Sequence, residues 1–186
     1  VSTAEQVGQE VQLSRMIRRK AIQETRTLAS APHLFLNTHP KELESPGLID
    51  SMQSIRMLNG IQKITLEIHE KAIADAIAMR DLRTALRDLD IGLAFDDFGA
   101  GQARLVELSK VQPDYIKFDM SLIRSLHEAP PEHRQMLAAL VQMAREMAVL
   151  SVAEGIDCEA ERVACIELGF ELAQGFHFGR PRVLST

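Results

Sequence analysis

No apolar run in the chain approaches the ~20 residues that a membrane-spanning helix needs, so nothing here reads as crossing a bilayer. A basic excess is also missing. Lys and Arg number 21 against 26 Asp and Glu, a formal charge of −5. A general binder of polymeric DNA or RNA needs a basic face to displace counterions, and that class is set aside. Cysteine is scarce, with only Cys158 and Cys165. Seven positions apart on one helix, their Cα atoms would stand ~10 Å apart, beyond the ~7 Å reach of a disulfide. Reduced packing residues in a cytoplasmic protein are the expectation. The six histidines show neither HxH nor HExxH spacing, and none is assigned to a metal. His127 and His133 flank Ala129-Pro130-Pro131 and are expected to be solvated. The opening residues, Val1 to Gln6, are polar and do not read as a secretory leader. Without an initiator Met, the chain is expected to be a fragment or a processed form.

What is present is a globular composition: 186 residues, 46% hydrophobic and 25% charged, enough for one domain with its own core. Six short apolar runs read as strands: 33–37, 64–68, 91–96, 115–118, 149–153 and 172–176. Their near-continuous hydrophobicity suits strands buried on both faces of a parallel sheet. Helical periodicity fills the gaps. Leu82, Ala85, Leu86 and Leu89 form one stripe. Met136, Leu137, Leu140, Val141, Ala144, Met147 and Ala148 form a wider one, opened by Pro130-Pro131. Val11, Met16, Ile17 and Ile22 suggest a helix near the N-terminus. Arg15, Arg18, Arg19, Lys20 and Arg26 are its expected solvated face, with a partner or nucleotide surface as the alternative. The frequent methionines read as core filling. Pro46-Gly47 interrupts a helical region over 41–58, and Asn59-Gly60 reads as a turn. Asp157 is the expected cap of a helix carrying Val163, Ile166 and Leu168, which Gly169 ends. No repeat, linker or domain boundary is visible. Such alternation predicts parallel βα units, in either a doubly wound sheet or a (β/α) barrel. Six strands are about two short of a full barrel.

The strand ends carry the chemistry. Asn37 closes the first strand, and Glu67 lies on the second with Glu70 just beyond. Asp96 and Asp97 close the third, Lys117 and Asp119 the fourth, Glu154 the fifth, and Gln174 belongs to the sixth. Active sites of parallel α/β folds form at the carboxyl ends of their strands. Carboxylates and amide oxygens, without His or Cys clusters, suit hard cations such as Mg²⁺ or Mn²⁺. The adjacent Asp96 and Asp97 suit a pair of ions, an arrangement fitted to phosphodiester hydrolysis. Asp-Phe-Gly also occurs in kinases, but no Gly-rich loop or HRD run accompanies it.

LEIHE (66–70), DDFGAG (96–101), IKFD (116–119), VAEGID (152–157) and QGFHFGRP (174–181) together resemble the EAL-type cyclic di-GMP phosphodiesterase domain, in order and spacing. LNTHPKEL (36–43) is similar to that family's Asn-bearing strand, with His39 where a serine is usual. TAEQVGQEVQLSRMIRRKAI (3–22) is similar to the helix after its signature strand. The resemblance covers essentially the whole chain, read as a single domain over 1–186. It implies an α/β fold, an incomplete (β/α)8 TIM-like barrel with about six of eight strands. It implies two Mg²⁺ or Mn²⁺ ions and hydrolysis of cyclic di-GMP to the linear dinucleotide in bacterial signal transduction.

By the same resemblance, Asn37, Glu67 and Asp96 hold the first metal. Asp96 bridges to a second, with Asp97 and Glu154 around it. Lys117 orients the attacking water, Glu154 is a general base or a ligand, and Gln174 contacts that water or the phosphate. Glu70 braces the loop after Asp97, which shapes the metal site and a homodimer contact, and Asp119 is a further metal-site or supporting residue. Sensory or GGDEF-type domains are the implied neighbours in a parent protein. Two departures stand out. Asp157 replaces a glutamate, and the Glu-Ala-Leu motif is absent, as if the chain began after it and lacked the first two strands. The chain alone is then expected to be a weak or inactive enzyme. The alternative reading is a non-catalytic module that binds cyclic di-GMP or a partner domain.

Overall fold

The structure, a computed structural model, describes residues 8–26, 28, 31–58, 62–72, 76–100 and 105–183. The expected Asn59-Gly60 turn lies outside them. The chain forms two compact units that divide between Leu93 and Ala94.

In the first unit, helix α1 (Glu10–Thr25) precedes strand β1 (Leu34–Asn37). Helices α2 (Pro40–Leu43) and α3 (Leu48–Leu58) follow, separated at Pro46-Gly47 as expected. Strand β2 (Ile64–His69) runs into a 3-10 turn (Glu70–Ala72), and α4 (Ala76–Asp88) leads to β3 (Ile91–Phe98). β1 and β2 pair in parallel from Leu34↔Ile64 to Asn37↔Glu67. Ile64, Leu66 and Ile68 are buried on one face of β2, and Thr65 and Glu67 on the other. Burial on both faces is why the run lacks polar alternation. Removing each such Ile or Leu side chain from water contributes about 1.5–3 kcal/mol. Arg56 closes the end of α4, donating through Nε to Leu89 O at 2.8 Å and also to Asp90 O.

In the second unit, helix α5 (Leu105–Val111) precedes β4 (Tyr115–Phe118). Short α6 (Met120–Ile123), a 3-10 turn (Leu126–Glu128) and α7 (Pro131–Glu146) lead to β5 (Leu150–Ala153). α8 (Glu159–Leu168) and β6 (Leu172–Ala173) complete it. Pro131 opens α7, and Gly169, at φ 89°, ends α8. β3 pairs with β4, β4 with β5 and β5 with β6, all in parallel. Within each unit the strand order follows chain order, with no reversal of the kind a doubly wound sheet shows at its switch point. Phe98, Phe118 and Phe170 meet edge to face, with centroids 5.4 and 5.1 Å apart. Each such pair adds about 0.5–1.5 kcal/mol beyond its burial. The fold is α/β, with six strands in parallel βα units.

Several local expectations change. Arg18 is not solvated; its side chain is 1% exposed and paired with buried Glu42. Met16, Ile17, Met57 and Met136 are exposed, whereas Met52 and Met79 are buried, so methionine is core filling only in part. The residue before α8 is Cys158, not Asp157. Asp157 instead pairs with Arg124 at 3.2 Å. His133 is half-buried, with Nε2 3.0 Å from Leu122 O. The two cysteines are unbonded.

Candidate functional site

Glu67 and Asn37 are register partners on neighbouring strands, so both are displayed toward the carboxyl end of the first unit's sheet. Thr38 N donates to Glu67 O at 3.0 Å, prolonging the ladder past β1. Glu67 is 4% exposed in a buried strand, a position that packing alone does not ask of a carboxylate. Asn37 is fixed from behind. Arg18 Nη1 donates to the Asn37 carbonyl at 2.9 Å and to Glu42 Oε1 at 2.8 Å, while Arg18 Nη2 donates to Glu42 Oε2 at 2.5 Å. His39 N donates to Glu42 Oε1 at 3.4 Å, and His39 Nδ1 accepts from Lys41 N at 3.3 Å. The histidine thus serves as cap to α2. Thr38 Oγ1 is buried with no hydrogen-bond partner among the described residues. Glu70 opens the 3-10 turn and is 4% exposed. The loop that it was expected to brace includes residues 101–104, which lie outside those described.

The second unit builds its cluster on a β-bulge. Phe95 pairs with Ile116 and Phe98 with Phe118, so three steps on β3 match two on β4. Asp96 and Asp97 occupy the irregular stretch, and Asp97 has φ 56°. Left-handed backbone is uncommon outside glycine but is tolerated by Asp. In a regular strand neighbouring side chains point to opposite faces. Here carboxylate oxygens of Asp96, Asp97 and Glu154 all lie within 4.8 Å of one another. The bulge is what lets two consecutive acids serve one site.

Lys117 lies between two of these acids, its Nζ 2.8 Å from both Asp96 Oδ1 and Glu154 Oε1. It is 5% exposed and held on β4, buried along its length. Gln174 Nε2 donates to the same Glu154 oxygen at 2.6 Å. Backbone bonds hold these strand ends in step. Asp119 N donates to Phe98 O, Glu154 N to Phe118 O and Gln174 N to Ala153 O, at 2.9–3.2 Å. Gly175 permits the last approach, since a Cβ there would meet Ile156 O at 2.1 Å. Asp119 accepts from Ser121 N at 2.9 Å and caps α6, the role its side chain has in this structure.

The structure therefore brings Asp96, Asp97, Lys117, Glu154 and Gln174 together in one unit and sets Asn37 beside Glu67 in the other. Sequence reasoning missed the Arg18–Glu42 pair that holds Asn37's backbone and the bulge under Asp96-Asp97. Neither had a local signal: the first joins residues 24 positions apart, and the second is a register mismatch between paired strands.

An oxygen-only donor set of three carboxylates is a fit for hard divalent cations and a poor one for soft metals. Parallel βα units that gather acids at their strand ends make a metal-binding class of α/β site, one that suits phosphoester chemistry. The chain belongs to the EAL domain family, whose pattern it matches over residues 1–181. It is 31% identical over 153 residues to the cyclic di-GMP phosphodiesterase RocR of Pseudomonas aeruginosa, covering 80% of this chain and 38% of RocR. It is 27% identical over 186 residues to the bifunctional diguanylate cyclase/cyclic di-GMP phosphodiesterase MucR of the same organism, covering 96% of this chain and 27% of MucR. The chain thus spans well under half of either relative. The solved complex of the MucR phosphodiesterase with c-di-GMP superposes with a TM-score of 0.87 at 26% identity, covering 97% of this chain and 81% of that one. A manganese and c-di-GMP complex of Klebsiella pneumoniae BlrP1 superposes with a TM-score of 0.80 at 26% identity, covering 89% of this chain and 43% of that one. Among the described residues no helix is long and apolar enough to cross a membrane.

Proposed function

We propose that this chain hydrolyses cyclic di-GMP to the linear dinucleotide, using divalent cations held by its carboxylates. The observation that carries the reading is the convergence of Asp96, Asp97 and Glu154 oxygens within 4.8 Å, beside Lys117. Family membership and the named activity of RocR support it. Two Mg²⁺ or Mn²⁺ ions, when bound, would supply acidification of water and charge neutralisation at the phosphate. Asp96, Asp97 and Glu154 are the ligands proposed in the second unit, and Asn37 and Glu67 those in the first.

The chain's own residues do the rest. Lys117 orients the attacking water and offsets negative charge as it grows on the phosphate. Glu154, fixed through Oε1 by Lys117 and Gln174, takes the water's proton as general base where it is not itself a ligand, the two roles competing. The water oxygen bonds to phosphorus as one ring P–O bond breaks, and the released ribose oxygen is protonated from solvent. Gln174 holds the water or a phosphate oxygen, with Glu70 and Asp119 in supporting places. Supporting a homodimer through the segment after Asp97, Leu105 and Val106 are 42% and 61% exposed there; sedimentation tests it. By analogy with MucR's bifunctional name, the parent protein couples this domain to a regulatory or cyclase domain in the cytoplasm.

The decisive experiment incubates the chain with cyclic di-GMP and Mn²⁺ and follows the linear product, with Asp96→Asn beside it. Loss of at least ~100-fold in turnover, with nucleotide binding largely kept, is expected when a charge stabilising the transition state is removed. Near-normal turnover by the variant overturns the assignment. Binding without hydrolysis both by the unsubstituted chain and by a form extended at its N-terminus favours the non-catalytic module instead.

A further inference from the structure

A second group of metal-ligating side chains stands apart from the oxygen-only cluster. His127 sits in the 3-10 turn Leu126–Glu128, Cys158 immediately precedes α8, and Glu161 lies in the first turn of α8. An imidazole nitrogen, the Cys158 sulfur and a Glu161 oxygen all lie within 4.8 Å of one another. We propose that these three residues form a binding site for a zinc-class cation.

Ligands of one tetrahedral zinc, at ~2.0–2.3 Å from the metal, stand ~3.3–3.8 Å apart. Closing the group thus asks for no more than about 1–1.5 Å of adjustment at any pair. His127, with a third of its side chain exposed, has room to supply it by rotation. Glu161 needs none, because it is already fixed. It is 4% exposed, with Oε1 accepting from Ser125 N and Oε2 from Asp157 N, both at 2.8 Å. Those donors belong to the two backbone segments that carry His127 and Cys158, so one carboxylate fastens both other ligands in place. The Arg124–Asp157 ion pair, 3.2 Å, ties the same segments again.

Helix capping accounts for Glu161 by itself. It does not account for a thiol and an imidazole brought to the same oxygen. Nitrogen, sulfur and oxygen donors together select a borderline ion such as Zn²⁺ over the hard ions suited to Asp96, Asp97 and Glu154. Three protein ligands leave a fourth position for water.

The test is a Co²⁺ titration of the whole chain, kept reduced, read by the near-ultraviolet thiolate-to-metal charge-transfer absorption that carboxylates cannot produce. One equivalent is expected to give the band, and Zn²⁺ to bleach it. Cys158→Ser should abolish it, His127→Ala should weaken Co²⁺ affinity at least ~10-fold, and Asp96→Asn should leave the band in place. His127→Ala lies in a half-exposed turn and keeps the test open should Cys158→Ser fold poorly. Absence of the band in the unsubstituted chain overturns the proposal. So does a band whose affinity His127→Ala does not change. Because hydrolysis is not the readout, failure here leaves the phosphodiesterase reading untouched.

Discussion

Replacing Arg18 with Met removes one half of a buried ion pair. Arg18 and Glu42 side chains are 1% and 0% exposed, with Nη2–Oε2 at 2.5 Å and Nη1–Oε1 at 2.8 Å. The substitution leaves the Glu42 carboxylate buried without its charge partner, a change that costs about 3–5 kcal/mol. An exposed helix-face pair would lose only ~0–1 kcal/mol. At about 2–4 °C per kcal/mol for a chain of this size, the melting temperature should fall by roughly 6–20 °C. Glu42→Gln removes the other charge, and the double variant should recover about 2 kcal/mol of the summed losses, since the two side chains are in direct contact. Urea denaturation of the four proteins measures this. Because Arg18 also holds the Asn37 carbonyl at 2.9 Å, the single variant should weaken Mn²⁺ affinity as well. A loss below ~1 kcal/mol for Arg18→Met, with no coupling to Glu42→Gln, refutes the reasoning.

The pair also has a pH signature. Burial raises the Glu42 pKa, but hydrogen bonds from Arg18 and Ser14, with the Arg18 charge, bring it below the ordinary 4.5. Its stabilisation is therefore present above the unfolded-state pKa and is lost as pH falls through the lowered folded value. The difference in stability between the unsubstituted chain and Arg18→Met should shrink over that acidic range, measured by urea melts at successive pH values. Gly175→Ala places a Cβ 2.1 Å from Ile156 O and 2.3 Å from Ile156 N. Backbone must move, so a loss of about 1–3 kcal/mol or more is expected, with weakened nucleotide binding because Gln174 moves too; unchanged melting would contradict it. Burial pushes the Cys165 thiol up to about 12, so at pH 8 a disulfide reagent should label half-exposed Cys158 quickly and Cys165 only on unfolding. Rapid labelling of both sites in the native chain would show the Cys165 environment to be wrong.

The alternation of short apolar runs with helical stripes already determined parallel βα units, because period and run length are local properties that burial on both strand faces imposes. Tyr115–Phe118 appears as the strand expected, and Pro131 and Gly169 bound their helices for reasons local to the backbone. That Asp96, Asp97 and Glu154 would meet was legible only from the set of polar strand ends taken together, since a single strand-end acid is as often a cap, as Asp119 is. What sequence alone left open depended on partners far along the chain. Arg18 looked like one more basic residue on a helix until Glu42, 24 positions away, was found against it. Nothing local distinguishes a solvated arginine from a desolvated one. The bulge that turns Asp96 and Asp97 to the same side is a mismatch of register between β3 and β4, and register exists only once two strands pair. His127 and Cys158 read as a solvated imidazole and a packing thiol, because the oxygen that unites them comes from Glu161, whose backbone donors sit on both segments. Periodicity decides which residues are buried together, whereas the choice of which polar atoms meet is made by long-range pairing.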